Sequence, residues 1–333
     1  MKAPGFWSNP PGRPGWQARL LAPAATLWRV GAAWRAGRAS PVKVDAPVLC
    51  IGNLTAGGAG KTPMVAALME RLATRGLSAH VVSRGYGGQV VGPHLVDPVD
   101  DSAADVGDEP LLLAARGLVW VAKDRVAGAR MAAERNARLI LLDDGFQNPA
   151  LVKDAAIVMV DAGAGFGNGR LIPAGPLREP VDDGLARADL VVLVGPPSER
   201  AAAARAWPRL ATEKVIGAEL KPLVTGLPID GEDVVAFAGI GRPGKFFQTL
   251  RGMGANLIAT HAFADHQAYA PALIRRMISD ARGRGAILVT TEKDAVRLPD
   301  ALRREVLTLQ VALELESWGP VDRLIDRIAG VSP

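Results

Sequence analysis

The segment Val48-Leu-Cys-Ile-Gly-Asn-Leu-Thr-Ala-Gly-Gly-Ala-Gly-Lys-Thr-Pro63 decides the fold of this chain. An apolar run typical of a buried strand ends at Gly52, a glycine-rich loop follows, and Lys61-Thr62 opens a stretch with the apolar spacing of a helix. This order places backbone N–H groups, a helix N-terminus and an ammonium around one small cavity, which suits the polyphosphate of a nucleotide. The pattern G-x4-G-K-[ST] has Thr55 at its first glycine, but Gly-Lys-Thr is intact. A plain glycine turn would leave the Lys-Thr pair unexplained.

The composition is that of an ordinary globular protein. The chain has 333 residues, 49% of them hydrophobic and 22% charged, and this length allows one large domain or two ordinary ones. The single cysteine, Cys50, lies inside the apolar strand and cannot form a disulfide within the chain, so a reducing, cytoplasmic setting fits. Four histidines and one cysteine leave little material for a metal cluster.

The positive charge is confined to the N-terminal segment. The net charge of the whole chain is +5, whereas residues 1–45 carry seven basic residues and one acidic residue, which is +6. The remaining chain is therefore close to neutral at −1. A basic nucleic-acid-binding face on the main body is not expected, and we predict no nucleic-acid partner.

The same N-terminal segment holds four of the seven tryptophans. Between Trp16 and Arg38 its apolar residues recur at helical spacing, but charges interrupt them too often for a membrane span. Tryptophan and arginine along one short helix are typical of a segment that lies in a membrane interface. The alternative is a helix packed on the protein's own core, with arginine stems covering it. Pro23 would kink this helix or mark its true start.

The body of the chain alternates short apolar strands with helices. This alternation predicts an α/β fold, a P-loop NTPase-like and mostly parallel sheet with helices on both faces, followed by a smaller α/β block. We therefore predict an N-terminal amphipathic membrane-interface segment, a kinase-type nucleotide domain and a smaller C-terminal domain that closes the cleft, with these bounds: 1–45, 46–227 and 228–333. Ligands of such sheets bind at the C-terminal ends of the strands.

Four carboxylates and one histidine are candidates for chemistry beside the phosphate loop. Asp143 and Asp144 end an apolar strand, an arrangement that holds Mg²⁺ near a polyphosphate, although both could instead form a turn or cap a helix. Asp108 or Glu109 could accept a hydroxyl proton or help to bind Mg²⁺, but acidic residues also favour the first turn of any helix. His266 could bind a phosphate or orient a carboxylate, or could be a simple surface histidine.

Eight motifs in this order carry a resemblance to one family. They are Gly52-Asn-Leu-Thr-Ala-Gly-Gly-Ala-Gly-Lys-Thr-Pro63, Ser83-Arg-Gly-Tyr-Gly87, Gly107-Asp-Glu-Pro110, Asp143-Asp-Gly-Phe-Gln147, Phe166-Gly-Asn-Gly169, Pro173-Ala-Gly-Pro-Leu-Arg-Glu179, Ala264-Asp-His266 and Thr291-Glu-Lys-Asp-Ala295. The chain closely resembles the tetraacyldisaccharide 4′-kinases (lipid A 4′-kinases) from about residue 47 to 298. One departure is Asn148, where many relatives have histidine.

The resemblance implies ATP-dependent phosphorylation of the 4′-hydroxyl of a tetraacylated glucosamine disaccharide 1-phosphate, with Mg²⁺, at the cytoplasmic face of the bacterial inner membrane. It implies that the ATP site comprises Thr55, Gly57, Gly58, Ala59, Gly60, Lys61 and Thr62. Mg²⁺ would be held by Thr62, Asp143, Asp144 and Glu109. Catalysis would fall to Asp108 as proton acceptor, to His266 as its support and to Lys61. The sugar headgroup would meet Arg84, Tyr86, Asn168, Arg170, Arg178 and Glu179.

Two other functions remain open at this point. A P-loop kinase for a soluble small molecule would share the ATP site but leave the N-terminal Trp/Arg segment without purpose. A membrane-docked nucleotide switch would bind and hydrolyse nucleotide without an acceptor, although Thr290-Thr-Glu-Lys-Asp-Ala295 does not match the guanine-reading signature of GTPases. We expect a monomer whose partners are the acylated disaccharide lipid and, through the N-terminal helix, a membrane surface.

Overall fold

The computed structural model describes residues 3–223 and 229–330, and its main element is a nine-stranded sheet. The strand order is β13-β8-β7-β6-β1-β5-β2-β4-β3, and a second sheet has the order β10-β9-β11-β12. The strands are β1 (Val48–Gly52), β2 (Ala79–Ser83), β3 (His94–Leu95), β4 (Val119–Val121), β5 (Leu139–Asp143), β6 (Ala155–Asp161), β7 (Leu190–Val194), β8 (Val215–Pro222), β9 (Asp233–Ala238), β10 (Asn256–Ala262), β11 (Ile287–Thr291), β12 (Leu307–Leu309) and β13 (Val311–Leu315).

The helices alternate with these strands along the chain. They are α1 (Trp16–Leu20), α2 (Ala22–Arg38), α3 (Lys61–Thr74), α4 (Ala103–Val106), α5 (Asp108–Ala114), α6 (Arg125–Glu134), α7 (Val181–Ala186), α8 (Pro197–Ala206), α9 (Pro243–Gly252), α10 (Pro271–Gly283), α11 (Glu292–Ala295), α12 (Asp300–Arg303) and α13 (Gly319–Ala329). Short 3-10 helices cover Gly5–Ser8 and Pro208–Leu210.

Strand β1 lies in the middle of the large sheet and is buried throughout. It pairs in parallel with β5 on one side and β6 on the other, so that Ile51 is level with Asp143 and Ile157. Its alternate side chains enter two different cores, Leu49 and Ile51 on the face of α3 and α13, and Val48 and Cys50 on the face of α6 and α8. The predicted mostly parallel sheet with helices on both faces is confirmed. Among the strands of this sheet that the structure describes, only the edge strands β3 and β13 run antiparallel.

The smaller sheet is parallel throughout and has its own two cores. Strand β9 is flanked by β10 and β11. Phe237 packs on the side of α10, whereas Phe246 and Leu250 of α9 pack on the other side. This block follows the predicted order of strand and helix, because its short apolar strands and amphipathic helices have clear periodicity.

The end of the chain returns to the large sheet. Strand β13 follows β12 after one residue, Gln310, and pairs antiparallel with β8. The carbonyl of Gln310 also accepts the N–H of Leu223, the last described residue before the gap. Helix α13 then packs on α3, where Asp322 accepts hydrogen bonds from Arg71 at 3.1 and 2.6 Å. The predicted boundary at 227/228 lies outside the described residues. The predicted C-terminal domain of 228–333 includes β13, which belongs to the large sheet, and α13, which packs on that sheet's helix α3.

The N-terminal segment forms two helices that leave most of their apolar side chains in solvent. Pro23 lies in the first turn of α2, which begins after a break at Leu21, so the proline marks the start of a helix. Only Ala18 and Ala25 of these helices are buried, while Trp16, Leu27 and Trp34 are 70%, 74% and 61% exposed. This exposure is not that of a helix packed on the protein's own core. No helix in the described ranges is long and apolar enough to cross a membrane.

The close approach of β1 to the turn after β5 gives a test of this packing. A Cβ added to Gly52 would lie 2.4 Å from the Cβ of Phe146, which is 1% exposed and cannot move aside. We expect Gly52→Ala to lower the free energy of unfolding by about 1–3 kcal/mol, the usual cost of overpacking a core. Urea unfolding of the nucleotide-free protein measures this loss.

The matched control is Gly58→Ala in the same loop, since a Cβ there meets nothing within 4 Å. Equal unfolding midpoints for the two variants would contradict the packing argument.

Candidate functional site

The glycine-rich loop between β1 and α3 lies at the C-terminal edge of the parallel strands. The side-chain amide of Asn53 donates to the carbonyls of Thr55 at 2.8 Å and Gly57 at 3.1 Å, and the N–H of Ala56 donates to the carbonyl of Pro176 at 2.7 Å. Gly60 has φ +85° and precedes the first turn of α3, a conformation that L side chains rarely adopt. The loop is therefore fixed on its inner side, and the glycines at 57 and 58 leave the outer side open for a phosphate.

Lys61 begins α3, and its charge is balanced by Asp144. The Lys61 Nζ lies 3.8 Å from the Asp144 Oδ1, and Arg178 donates to the two oxygens of Asp144 at 2.8 and 3.3 Å. Although burial raises the pKa of Asp144, the charges of Lys61 and Arg178 hold it below its usual value. Asp144 is thus an ionised carboxylate between two cations, a position in which it can orient both.

Asp143 differs from its neighbour because it is almost completely buried, at 1% exposure. Its Oδ2 accepts a hydrogen bond of 3.1 Å from the Ser83 hydroxyl, whereas Oδ1 is buried without a partner among the described residues. Burial, followed by the negative charges of Glu109 and Asp144, raises the pKa of Asp143 to about 7. A cation bound beside a buried carboxylate with an unpartnered oxygen and other carboxylates nearby would stabilise its ionised form.

These residues fit a magnesium ion shared with a nucleotide. In the described ranges no three His, Cys, Asp or Glu side chains converge on one metal position. Mg²⁺ does not need such a cage, because it is usually bound by one or two carboxylates, water and substrate phosphates. The unpartnered oxygen of Asp143 is the best-placed ligand, with Thr62 at the second position of α3. Asp144 is engaged by Lys61 and Arg178, and Glu109 by Lys293 at 3.0 Å.

Asp108 and His266 come together where the smaller α/β block meets α5, a junction that is called the cleft below. The His266 Nδ1 lies 2.9 Å from the Asp108 Oδ2, and Arg297 donates to the same oxygen through Nε at 2.7 Å. Burial raises the pKa of Asp108, but the hydrogen bond from His266 and the charge of Arg297 outweigh it and hold the pKa below its usual value. Tyr86 packs edge-on against the His266 ring, with 5.3 Å between centroids.

The two ring nitrogens of His266 have different neighbours. Nδ1 faces the Asp108 carboxylate, whereas Nε2 lies 3.3 Å from the Lys293 Nζ and 3.8 Å from the Asp265 Oδ1. Since a carboxylate can only accept, the Nδ1–H donates to Asp108, and the imidazole orients this carboxylate.

The remaining predicted substrate residues differ in their surroundings. Arg84, Tyr86 and Arg170 are exposed at the surface. Glu179 is tied to Arg187 and to the Gln147 amide. Asn168 is 1% exposed, and its amide donates to the carbonyls of Phe6 and Ala174 at 3.2 and 2.9 Å. These contacts organise the loop and do not present Asn168 to a sugar, because its polar atoms are used inside the protein.

The site can now be compared with known proteins. Residues 17–329 match the family model described as tetraacyldisaccharide-1-P 4′-kinase. The chain is 53% identical to the tetraacyldisaccharide 4′-kinase of Jannaschia sp. (strain CCS1), over 99% of this chain and 100% of the relative. It is 56% identical to the enzyme of the same name from Dinoroseobacter shibae, over 95% and 94% of the two chains. The chain belongs to this kinase family.

A crystal structure of LpxK from Aquifex aeolicus in complex with ATP has the same fold. It superposes on this family member with a TM-score of 0.73 at 27% identity, and the alignment covers 93% of this chain and 99% of the other. The family resemblance seen in the eight motifs is therefore confirmed over nearly the whole length.

Two site residues are absent from the sequence-based prediction, Lys293 and Arg297. Both belong to the segment after β11, where Thr291 caps the one-turn helix α11 by accepting the N–H of Asp294. Residues four apart face the same side of a helical turn, which brings Lys293 to Glu109 and Arg297 to Asp108. The mixed charge of Thr291-Glu-Lys-Asp-Ala295 was the available signal, but only the folded chain places it opposite α5.

The raised pKa of Asp143 predicts a specific pH dependence of stability. The pKa of this carboxyl is 3.8 in the unfolded chain and about 7 in the folded protein, so the folded protein keeps the proton up to a higher pH. The stability that Asp143 contributes is complete below its unfolded pKa and is lost as the pH rises through 7. Without metal, we therefore expect the free energy of unfolding of the native protein to fall relative to that of Asp143→Asn as the pH rises from 3.8 to about 7. Above that pH the difference between the two proteins should stay constant.

Urea unfolding in EDTA at a series of pH values across this range measures the difference. A difference that does not change with pH would contradict the assignment, and added Mg²⁺ should shrink it at neutral pH because the metal stabilises the ionised form.

Proposed function

We propose that this chain transfers the γ-phosphate of ATP to the 4′-hydroxyl of a tetraacylated glucosamine disaccharide 1-phosphate, in lipid A biosynthesis. The observation that carries the proposal is the meeting of two groups in one cleft. The first group is the phosphate loop with Lys61 and Asp143, on the large sheet. The second is the Asp108–His266 pair, in which Asp108 comes from α5 and His266 from the smaller block. The identity of the acceptor is inferred from the membership of the chain in a family of 4′-kinases.

The donor side needs positive charge more than covalent chemistry. Loop N–H groups, the N-terminus of α3 and the ammonium of Lys61 would neutralise the β- and γ-phosphates. Thr62 and Asp143 would hold Mg²⁺, with Asp144 and Glu109 close by. The metal would supply further charge neutralisation on the phosphate oxygens. Asp144 would keep the Lys61 side chain extended towards the loop.

On the acceptor side, Asp108 is the proposed proton acceptor. All of its contacts use Oδ2, and no described residue hydrogen-bonds to Oδ1, so one oxygen stays available to the 4′-hydroxyl. A carboxylate with a lowered pKa is a weak base, but phosphoryl transfer has a loose transition state in which the hydroxyl proton leaves late. Alignment of the hydroxyl then matters more than basicity.

The headgroup would lie along the rim of this cleft. Arg84, Tyr86 and Arg170 are exposed there or nearby, and Tyr86 touches the ring of His266. Arg178 and Glu179 would act indirectly, because Arg178 holds Asp144 and Glu179 pairs with Arg187.

A transfer assay with γ-³²P-labelled ATP and detergent-dispersed tetraacyldisaccharide 1-phosphate tests the proposal. Lys61→Ala and Asp108→Ala should each lower kcat by about a hundredfold or more, the scale of losing a charge-stabilising or proton-accepting group. His266→Ala should cost less than Asp108→Ala, because His266 orients the carboxylate.

The other outcomes identify the competing functions. Transfer to a water-soluble sugar but not to the lipid would indicate a soluble-metabolite kinase, and ATP hydrolysis without any acceptor product would indicate a nucleotide switch. A larger loss in His266→Ala than in Asp108→Ala would make His266 the base.

We also propose that α1 and α2 attach the protein peripherally to the cytoplasmic face of the inner membrane. Trp16, Leu20, Leu27 and Trp34 are each more than 60% exposed, beside Arg35 and Arg38 at the end of α2. Exposed tryptophan and leucine next to arginine suit the boundary between acyl chains and anionic headgroups. The acceptor lipid would reach the cleft from the same surface.

Deletion of residues 1–40 should move the protein from the membrane pellet to the supernatant. A more specific variant changes Trp16, Leu20, Leu27 and Trp34 to serine. It should also move the protein to the supernatant, because each substitution removes apolar surface that would be buried in the bilayer. The control changes Val91, Val99, Leu118 and Leu220 to serine, four exposed apolar residues outside these helices. Unchanged sedimentation of the four-site variant, or equal release of the control, would contradict the proposal.

A further inference from the structure

Arg297 is a largely buried cation at the cleft, with 5% of its side chain exposed. We propose that it is a positioning residue for phosphoryl transfer, which fixes Asp108 through one carboxylate oxygen and leaves the other for the acceptor hydroxyl. This inference rests on the proposed kinase function and concerns how the proton acceptor of that reaction is held.

The contacts on Asp108 are all on one oxygen. Arg297 donates through Nε to Oδ2 at 2.7 Å, and its Nη2 lies 2.6 Å from the same atom as an ion pair. His266 Nδ1 approaches Oδ2 at 2.9 Å. The two hydrogen bonds, from Arg297 Nε and His266 Nδ1, and the ion pair with Nη2 fix the rotation of the carboxylate plane, because turning the group would break them. Nη2 makes no hydrogen bond of its own among the described residues. Oδ1 is thereby held in one place, where it can accept a proton.

A second carboxylate fixes Arg297 in turn. Its Nη1 donates to Asp294 Oδ1 and to the Gly239 carbonyl, each at 3.1 Å. Asp294 is fully buried and also accepts from the Tyr269 hydroxyl at 2.7 Å and the Gly239 N–H at 2.9 Å. Contacts within the smaller block therefore hold the guanidinium in place, and its position does not depend on Asp108.

This arrangement differs from an ion pair that only joins two parts of the fold. Arg297 and His266 both come from the smaller α/β block, whereas Asp108 begins α5 beside the large sheet. The smaller block thus sets the orientation of the proposed proton acceptor. Removal of Arg297 should harm catalysis through Asp108, and should do little to nucleotide binding at the phosphate loop.

The decisive experiment is a double-mutant cycle with the full-length protein. Arg297→Gln and Asp108→Asn are made singly and together, and kcat and the KM for ATP are measured by transfer to the lipid acceptor. We expect Arg297→Gln to lower kcat by about tenfold to a hundredfold with the KM for ATP changed by less than about twofold. In the Asp108→Asn background the same change should lower kcat by less than about twofold, because no carboxylate remains to be oriented. An equal loss in both backgrounds would overturn the proposal.

Chemical rescue provides a readout that a purely structural role would not give. Arg297→Ala leaves a buried gap between Asp108 and Asp294, so guanidinium at non-denaturing concentrations should restore part of its kcat. Guanidinium should not restore Lys61→Ala. No rescue of Arg297→Ala in protein that unfolds cooperatively would count against the inference.

Arg200→Gln is the matched control. Arg200 also has a largely buried side chain, 14% exposed, and pairs with Glu316 at 2.6 Å, away from the cleft. It should lower the unfolding temperature without changing kcat. Native protein that fails to phosphorylate the lipid would refute the kinase function itself. Native activity together with an Arg297→Gln kcat within about twofold of it would refute only the positioning role.

Discussion

The parallel pairing of β1 with β5 is the constraint on which the site depends. It makes the phosphate loop and the two aspartates leave the same edge of the sheet from neighbouring strands, with Ile51 level with Asp143. The approach is close enough that Gly52 has no room for a side chain beside Phe146. Both strands are buried on both faces, so their side chains cannot be shifted without opening two cores. The proposed donor site and the proposed metal site therefore both follow from one strand pair.

The cleft is organised as a series of alternating charges. Lys61 lies between the phosphate loop and Asp144, Lys293 between Glu109 and His266, and Arg297 between Asp108 and Asp294. Asp108 and Asp144 each pair with a cation, which holds their pKa values below the usual range. Burial, followed by the charges of Glu109 and Asp144, instead raises the pKa of Asp143. Asp143 is thus the carboxylate of the site that the proposed Mg²⁺ would neutralise.

Much of this could be predicted from the sequence, for physical reasons that differ by element. The phosphate loop and the apolar strands around it have local signatures, because backbone conformation and burial fix their residue types. The pairing of Asp108 with His266 came from the family resemblance, since nothing local connects residues 158 positions apart. Lys293 and Arg297 were missed because a mixed-charge turn resembles any solvated loop until the opposing helix is known. The antiparallel pairing of β13 with β8 could not be predicted either, because the whole smaller block separates the two strands in the sequence.

The return of the chain at Gln310 has a mechanical consequence. The smaller block is an insertion between two neighbouring strands of the large sheet, and its entry and exit are joined by the hydrogen bond from Leu223 to Gln310. Both covalent connections of the block thus lie side by side, and side-chain pairs such as Arg242–Asp161, Lys293–Glu109 and Arg297–Asp108 tie the rest of it to the main body. His266, Lys293 and Arg297 are therefore carried by one inserted unit, so that the partners of Asp108 and Glu109 share a single support.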